Sequence, residues 1–486
     1  MPISRFLIPL VFLAASLPGA EPDPIEGLWS GKVTAPQGEC ADIALDFHRT
    51  PAGELSFKLH FPAMFTHGAA LGIPVEKTGA ADYAITPAFA IKLHRDGDTL
   101  TGTFSTGQLP LALHRGGPPP APLIQSHGSA APAPVWRYAL GAGTWAPPVV
   151  DGEIIYIGGG DGRFHAVRAR DGTSLWTWAG TVPIDGGAAL DSDAVYFLDT
   201  RFNLVALDRA QGTLRWRVSL HNEFQAGRSA PDNPTFNHRA ATPLVQPGVI
   251  YVGSSDGGIY AIEAARGGKL WRYDAGAPVF SGIALRDANT LMFGTMDGSA
   301  VLLDRRTRSE VLRVKTGGGV VTTPVIAADR LIVGSRDYQL YAFNLTDGSV
   351  AWKFSYWFSW IESTPTLRDG LLYVGGSDYA RVTAIDPATG RARWAAIVGG
   401  MDWGTPLVTD RYVFAGTVNQ NIPGTLIDHA AGLVKLDRAT GDVVWRLALP
   451  KAPEGKFAGY AGSLALAGDK VIAAGFDGEL VAYPVE

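Results

Sequence analysis

The chain of 486 residues contains one cysteine, Cys40, so no intrachain disulfide can staple it. It has no basic run and carries a net charge of −5, which argues against a nucleic-acid partner. Long apolar stretches are missing except at residues 6–15, behind Arg5, and that run is too short for a permanent membrane helix. It reads as an export signal, cleaved after Ser16 or Ala20, leaving a mature chain (from residue 21) with no transmembrane segment and a periplasmic or extracellular address. No cysteine stands near that boundary to take a lipid. A nucleophile elbow, a phosphate-cradling loop and zinc-ligand spacing are also absent from the sequence.

What the chain does have is tryptophan at a regular beat. Trp136, Trp176 and Trp216 are 40 residues apart, and Trp271, Trp352, Trp394 and Trp445 follow, with Leu312 at the one missed position. Self-similarity at this period marks a repeat architecture. In the fifth unit the pattern reads Thr323-Pro324-Val325-Ile326, Leu331-Ile332-Val333-Gly334-Ser335, Leu340-Tyr341-Ala342-Phe343, Asp347-Gly348 and Trp352. Each run is short, rich in β-branched or aromatic residues and bounded by Gly, Asp or Asn, as strands and their turns are. Four runs per period predict a four-stranded antiparallel sheet, with the tryptophan packed between neighbouring sheets. A glycine recurs four residues before it (Gly172, Gly212, Gly267, Gly348, Gly390, Gly441), and unit 4 has Arg308 there instead. Eight inner strands begin near Pro148, Ala188, Pro243, Ile283, Pro324, Pro365, Pro406 and Ser463. The last unit lacks an outer strand, and residues 135–141 supply one from the other end. The expected fold is all-β: an eight-bladed β-propeller over 135–486, closed by its own N-terminal strand so that no sheet edge stays unpaired at the joint.

Residues 21–115 show period-two alternation, as in Ile43-Leu45-Phe47 and Leu55-Phe57-Leu59-Phe61, which predicts a small antiparallel β-barrel-like domain. Its opening Gly27-Leu28-Trp29-Ser30-Gly31-Lys32-Val33 and the stretch from Asp96 to Phe104 resemble lipocalin-like modules of secreted bacterial proteins. His48, His60, His94 and His114 fall on the polar face of its strands and read as solvated residues, not metal ligands. Residues 116–134 are a Pro-rich tether.

The Thr-Pro dipeptides (Thr242-Pro243, Thr323-Pro324, Thr364-Pro365, Thr405-Pro406), the Tyr-Val-Gly runs at 251–253 and 373–375, and the Ala-Ile-Asp-Pro-Ala-Thr-Gly stretch at 384–390 resemble the pyrroloquinoline-quinone (PQQ) repeat family. That resemblance implies one of two functions: a secreted quinoprotein dehydrogenase, or a non-enzymatic scaffold like the outer-membrane assembly lipoprotein. The dehydrogenases imply an adjacent-cysteine disulfide and sometimes a haem motif, and one cysteine supplies neither. An oxidoreductase reading leaves Glu362 and Asp402, beside Trp360 and Trp403, as carboxylates for Ca²⁺ under PQQ. Insertions point elsewhere. A repeat protein keeps its sheets and varies its loops, so residues 221–239 (His221, Glu223, Arg228, His238, Arg239), 419–432 (Asn421, His429) and 451–460 map a binding face, with the off-register aromatics Tyr356, Trp357 and Trp360. The expected function is therefore a non-enzymatic binding propeller for a protein, peptide or glycan, and the alternative is a PQQ- and calcium-dependent oxidoreductase of alcohols or sugars.

Overall fold

A computed structural model describes residues 22–64, 66–70, 73–85, 90–104, 109–121, 128–220, 241–420 and 430–486. Each repeat folds as a four-stranded antiparallel meander, because its short β-branched runs are separated by turns that hairpin directly back. Blade 5 is representative: Val325–Ala327, Arg330–Gly334, Gln339–Asn344 and Val350–Ser355 pair in chain order. Blades 1 to 6 are built this way from contiguous chain. Blade 8 is not. Its inner three strands, Ala465–Ala467, Lys470–Ala474 and Glu479–Pro484, are completed by Trp136–Ala139, antiparallel with Trp136 opposite Ala482. The ring has eight blades and is closed by both ends of the propeller.

One contact recurs between blades. The indole N–H of five outer-strand tryptophans donates to a backbone carbonyl of the next blade: Trp136 to Ala169 (3.0 Å), Trp176 to Arg209 (3.1 Å), Trp216 to Ala264 (3.0 Å), Trp352 to Pro387 (2.9 Å) and Trp394 to Arg438 (3.0 Å). Beside each carbonyl, the ring lies flat on the recurring glycine. A Cβ at Gly267 would stand 2.7 Å from the Trp216 ring, and one at Gly441 would stand 2.7 Å from Trp394. These glycines also have φ between 68° and 79°, so both backbone and packing call for glycine. In blade 4 the smaller Leu312 takes the indole's place, and a Cβ at Gly348 of blade 5 would stand 3.1 Å from its methyl.

Blade 7 departs from the plan. Its second strand, Tyr412–Gln420, overruns those of its neighbours, and the overrun pairs with an added strand, Phe457–Gly459. Its outer edge is capped by Ser129–Ala130 from the linker, running parallel to Val443–Ala448.

Ahead of the ring, nine strands form one antiparallel sheet that curls barrel-like around its own core, with Trp29, Ile43, Leu45, Phe57 and Leu113 fully or almost fully buried. Of the four histidines read as solvated, His94 and His114 are exposed and His48 is half-buried. His60 is buried, contrary to the solvated reading, because it sits on Leu55–Phe61 where that strand turns into the core. This sheet docks on blade 5. The Gln37 side-chain amide accepts the Ser355 N–H (3.0 Å) and donates to its carbonyl (3.2 Å), imitating a strand partner.

The glycine under each indole predicts a measurable asymmetry. Gly267→Ala should lower stability by about 2 kcal/mol or more in urea unfolding. Gly248→Ala, with similar φ but open space around it, should cost only the ~1 kcal/mol of a left-handed non-glycine residue. Equal costs would show that the ring contact contributes nothing.

Candidate functional site

The blades leave a cavity of about 340 Å³ on the ring axis. It is lined by two positions of the repeat. Three residues before each inner-strand start stand Trp145, Asp185, Phe280, Val321, Glu362 and Trp403; one residue before stand Pro147, Gly187, Thr242, Gly282, Thr323, Thr364, Thr405 and Gly462. The second tier holds the blades together near the axis. The Thr364 hydroxyl accepts the Thr323 N–H (3.1 Å), and the Ser463 hydroxyl accepts the Thr405 N–H (2.9 Å). Glycine is needed where a neighbour's hydroxyl comes close: a Cβ at Gly187 or Gly282 would overlap the hydroxyl of Thr242 or Thr323.

The first tier carries the chemistry. Glu362 is almost wholly buried and paired with Arg336, whose Nε and Nη2 donate to Oε1 at 2.9 and 2.5 Å. The guanidinium carbon also lies 4.8 Å from the centre of the Trp360 ring, so the arginine is held on two sides. Half-buried Asp378 is nearby, and burial together with the Glu362 carboxylate pushes it up to about 6. On the adjacent blade 7, Trp403 donates from Nε1 to Ser377 Oγ (2.8 Å) and stacks on Trp145 with centroids 5.4 Å apart at 21°. Blade 8 presents only Ala461 and Gly462 between them, which lets the two indoles meet. Phe457 and Phe476 stand edge-on to Trp145 at 5.3 and 4.7 Å, completing an aromatic shelf that Trp145, Phe457 and Phe476 leave half-exposed.

The candidates from sequence are scattered around this cavity. Glu362, Trp403 and the Arg336–Trp360 contact belong to it. Asp402 does not line it. The Asp402 N–H donates to the Gly376 carbonyl (3.1 Å), and the side chain turns into the wedge between blades 6 and 7, where it crowds the Gly375 Cα. Only 1% exposed and with neither oxygen hydrogen-bonded, it is held by burial well above the usual carboxylate range.

Tyr356 and Trp357 overturn the premise that they form an exposed surface: both are 0% exposed. Trp357 meets Phe61 of the N-terminal sheet edge-on at 5.5 Å, and Phe358 meets Phe104 at 4.3 Å. These aromatics are out of register because they form the floor on which the first domain sits. His221, Glu223, Arg228, His238, Arg239, Asn421 and His429 lie outside the described residues. Trp145, Arg336 and Phe457 were not singled out from sequence. Trp145 was findable, since it occupies the same repeat position as Glu362 and Trp403.

Three stretches, 129–272, 255–357 and 357–486, match the PQQ_2 family model, described as outer membrane protein assembly factor BamB. The chain belongs to this family. Among PQQ_2 relatives, the outer membrane protein assembly factor BamB of Burkholderia pseudomallei is 22% identical over 301 residues, covering 58% of this chain and 74% of that protein. The quinoprotein alcohol dehydrogenase PedH of Pseudomonas putida is 29% identical over 157 residues, covering 28% of this chain and 24% of the enzyme. The crystal structure of BamB from Moraxella catarrhalis superposes with a TM-score of 0.55 at 18% identity, over 72% of this chain and 97% of that one, which shows a shared fold.

The donors present do not fit calcium beneath PQQ. Calcium takes six to eight oxygen ligands, yet Glu362 is neutralised by Arg336 and Asp402 faces into the blade wedge. The single thiol, Cys40, is exposed on the N-terminal sheet, so no cysteine pair lies against the axis.

Two outcomes follow. The folded-state pKa of Asp402 lies above its unfolded value, so its contribution favours the fold at low pH and is lost as pH rises. Asp402→Asn should therefore be more stable than the parent at pH 7 in denaturant unfolding. The gain should vanish below pH ~4, near the unfolded value; a pH-independent difference would refute the assignment. Trp357→Ala should cost about 3–5 kcal/mol in denaturant unfolding. An unchanged midpoint would return Trp357 to the surface.

Proposed function

We propose that this chain is an exported, non-enzymatic binding propeller, acting in the periplasm or outside the cell. It holds a protein, peptide or glycan partner on the face that carries the axial cavity. The observation that carries this reading is where the described chain departs from the repeat at that face. Tyr412–Gln420 overruns its counterparts and pairs with the added strand Phe457–Gly459. In sequence, the insertion at 221–240 ends just before the cavity-lining Thr242, and the one at 421–429 directly follows Gln420. Elaboration at a rim, on a scaffold otherwise kept regular, is how repeat proteins build recognition surfaces.

Family membership supports the same reading, since BamB is an outer membrane protein assembly factor, and a partner in outer-membrane protein assembly is the first to test. The buried Arg336–Glu362 pair argues against hydrolytic or redox work by these groups, because each neutralises the other. The oxidoreductase reading is supported by similarity to quinoprotein alcohol dehydrogenases such as PedH, of which the match spans about a quarter.

Replacing residues 421–429 with a short Gly-Ser linker, or making Phe457→Ala, should abolish cross-linking to outer-membrane assembly components in native envelopes. Both variants should still unfold cooperatively, Phe457→Ala with a melting temperature lowered by a few degrees because its ring packs against the buried cluster around Trp403. Dye-linked alcohol or sugar oxidation by the purified chain with PQQ and Ca²⁺ would instead establish the enzyme.

A further inference from the structure

We infer that the axial cavity is a sugar site, which takes the terminal ring of a neutral glycan on the Trp145–Trp403 platform. This inference rests on the binding-propeller reading and names the ligand class for its cavity.

Three observations lead to it. The first is an apolar wall at the cavity: the half-exposed Trp145 indole, backed by the buried Trp403 ring stacked on it and braced edge-on by Phe457 and Phe476 from outside the cavity lining. Such a wall is suited to the C–H face of a pyranose, as to any flat apolar surface. The second is a ring of hydroxyls from Thr242, Thr323, Thr364 and Thr405 on the same cavity. Where such a hydroxyl accepts a backbone N–H, as Thr364 does, its own O–H stays available to donate. The third is charge. The cavity's arginine is engaged by Glu362 on one side and Trp360 on the other, so an anion finds no uncommitted guanidinium. A ligand that is neutral, hydroxyl-rich and flat on one face matches all three. The volume of about 340 Å³ is at the small end of ligand pockets and suits one or two sugar rings, not a folded peptide.

The test is calorimetry and tryptophan fluorescence on the full mature chain. The probes are glucose, maltotetraose, cellotetraose, choline and PQQ. A saturable response to at least one neutral sugar is expected. A tetrasaccharide binding more tightly than glucose would mark a chain end as the ligand, and equal affinity a free sugar. Trp145→Ala should weaken binding about tenfold, equivalent to ~1.4 kcal/mol, while the chain, though less stable for the lost packing, stays folded at the assay temperature. Thr242→Val, at an exposed hydroxyl, should weaken it by a smaller factor. Absence of saturation with all three sugars, tighter binding of choline or PQQ, or sugar binding indifferent to both substitutions would overturn the inference. Envelope cross-linking that persists while sugars fail to bind would reject the sugar site alone and leave the partner-binding reading standing.

Discussion

An indole laid flat on a glycine of the next sheet, with its N–H on that sheet's carbonyl, sets the spacing of the ring. Each half of the contact needs the other. The glycine has positive φ because the turn requires it, and the missing Cβ gives the indole somewhere to lie. Stacking buries a large apolar surface, and the hydrogen bond fixes the angle between blades, which stacking alone would leave loose. With that angle repeated, eight sheets fill a circle and the inner strands are held at a fixed radius. The axial cavity is what remains.

Function in this architecture concentrates where the repeat is allowed to vary. The position three residues before each inner strand is occupied by Trp, Asp, Phe, Val, Glu and Trp in blades 1, 2, 4, 5, 6 and 7. The position one residue before is almost wholly Thr, Gly or Pro. The conservative tier is structural, since its hydroxyls and glycines stitch adjacent blades together. The variable tier faces the cavity, and its side chains bond to loop residues such as Arg336 and Ser377. A regular frame thereby presents an irregular set of side chains to one small volume, with no strand disturbed.

The blade count and the strand that completes blade 8 were legible because they follow from periodicity alone. The same pattern located the first domain, whose alternation shows which faces are buried. The site was less legible. Glu362 and Trp403 were found from their loops, but their neighbour Asp402 faces away, since strand alternation sends adjacent side chains to opposite sides. Trp357 misled for a physical reason: an aromatic out of phase with one repeat was read as exposed, when it was in phase with a second domain's core. No pattern within the propeller carries that information.

The joint between blades 7 and 8 differs from its neighbours. Trp445 has no hydrogen-bond partner on its indole N–H. Blade 8 has no turn there, because its outer strand arrives from residue 136 and not from residue 484. The ring thus has a seam, and closing it joins chain segments more than 340 residues apart. Seven blades can form in order as the chain emerges, each supported by the one before, but Trp136–Ala139 must wait for Glu479–Pro484. Until Glu479–Pro484 is in place the ring is an open arc, and Trp136–Ala139 is a strand with no sheet to join, its hydrogen-bonding edge open to any passing extended segment.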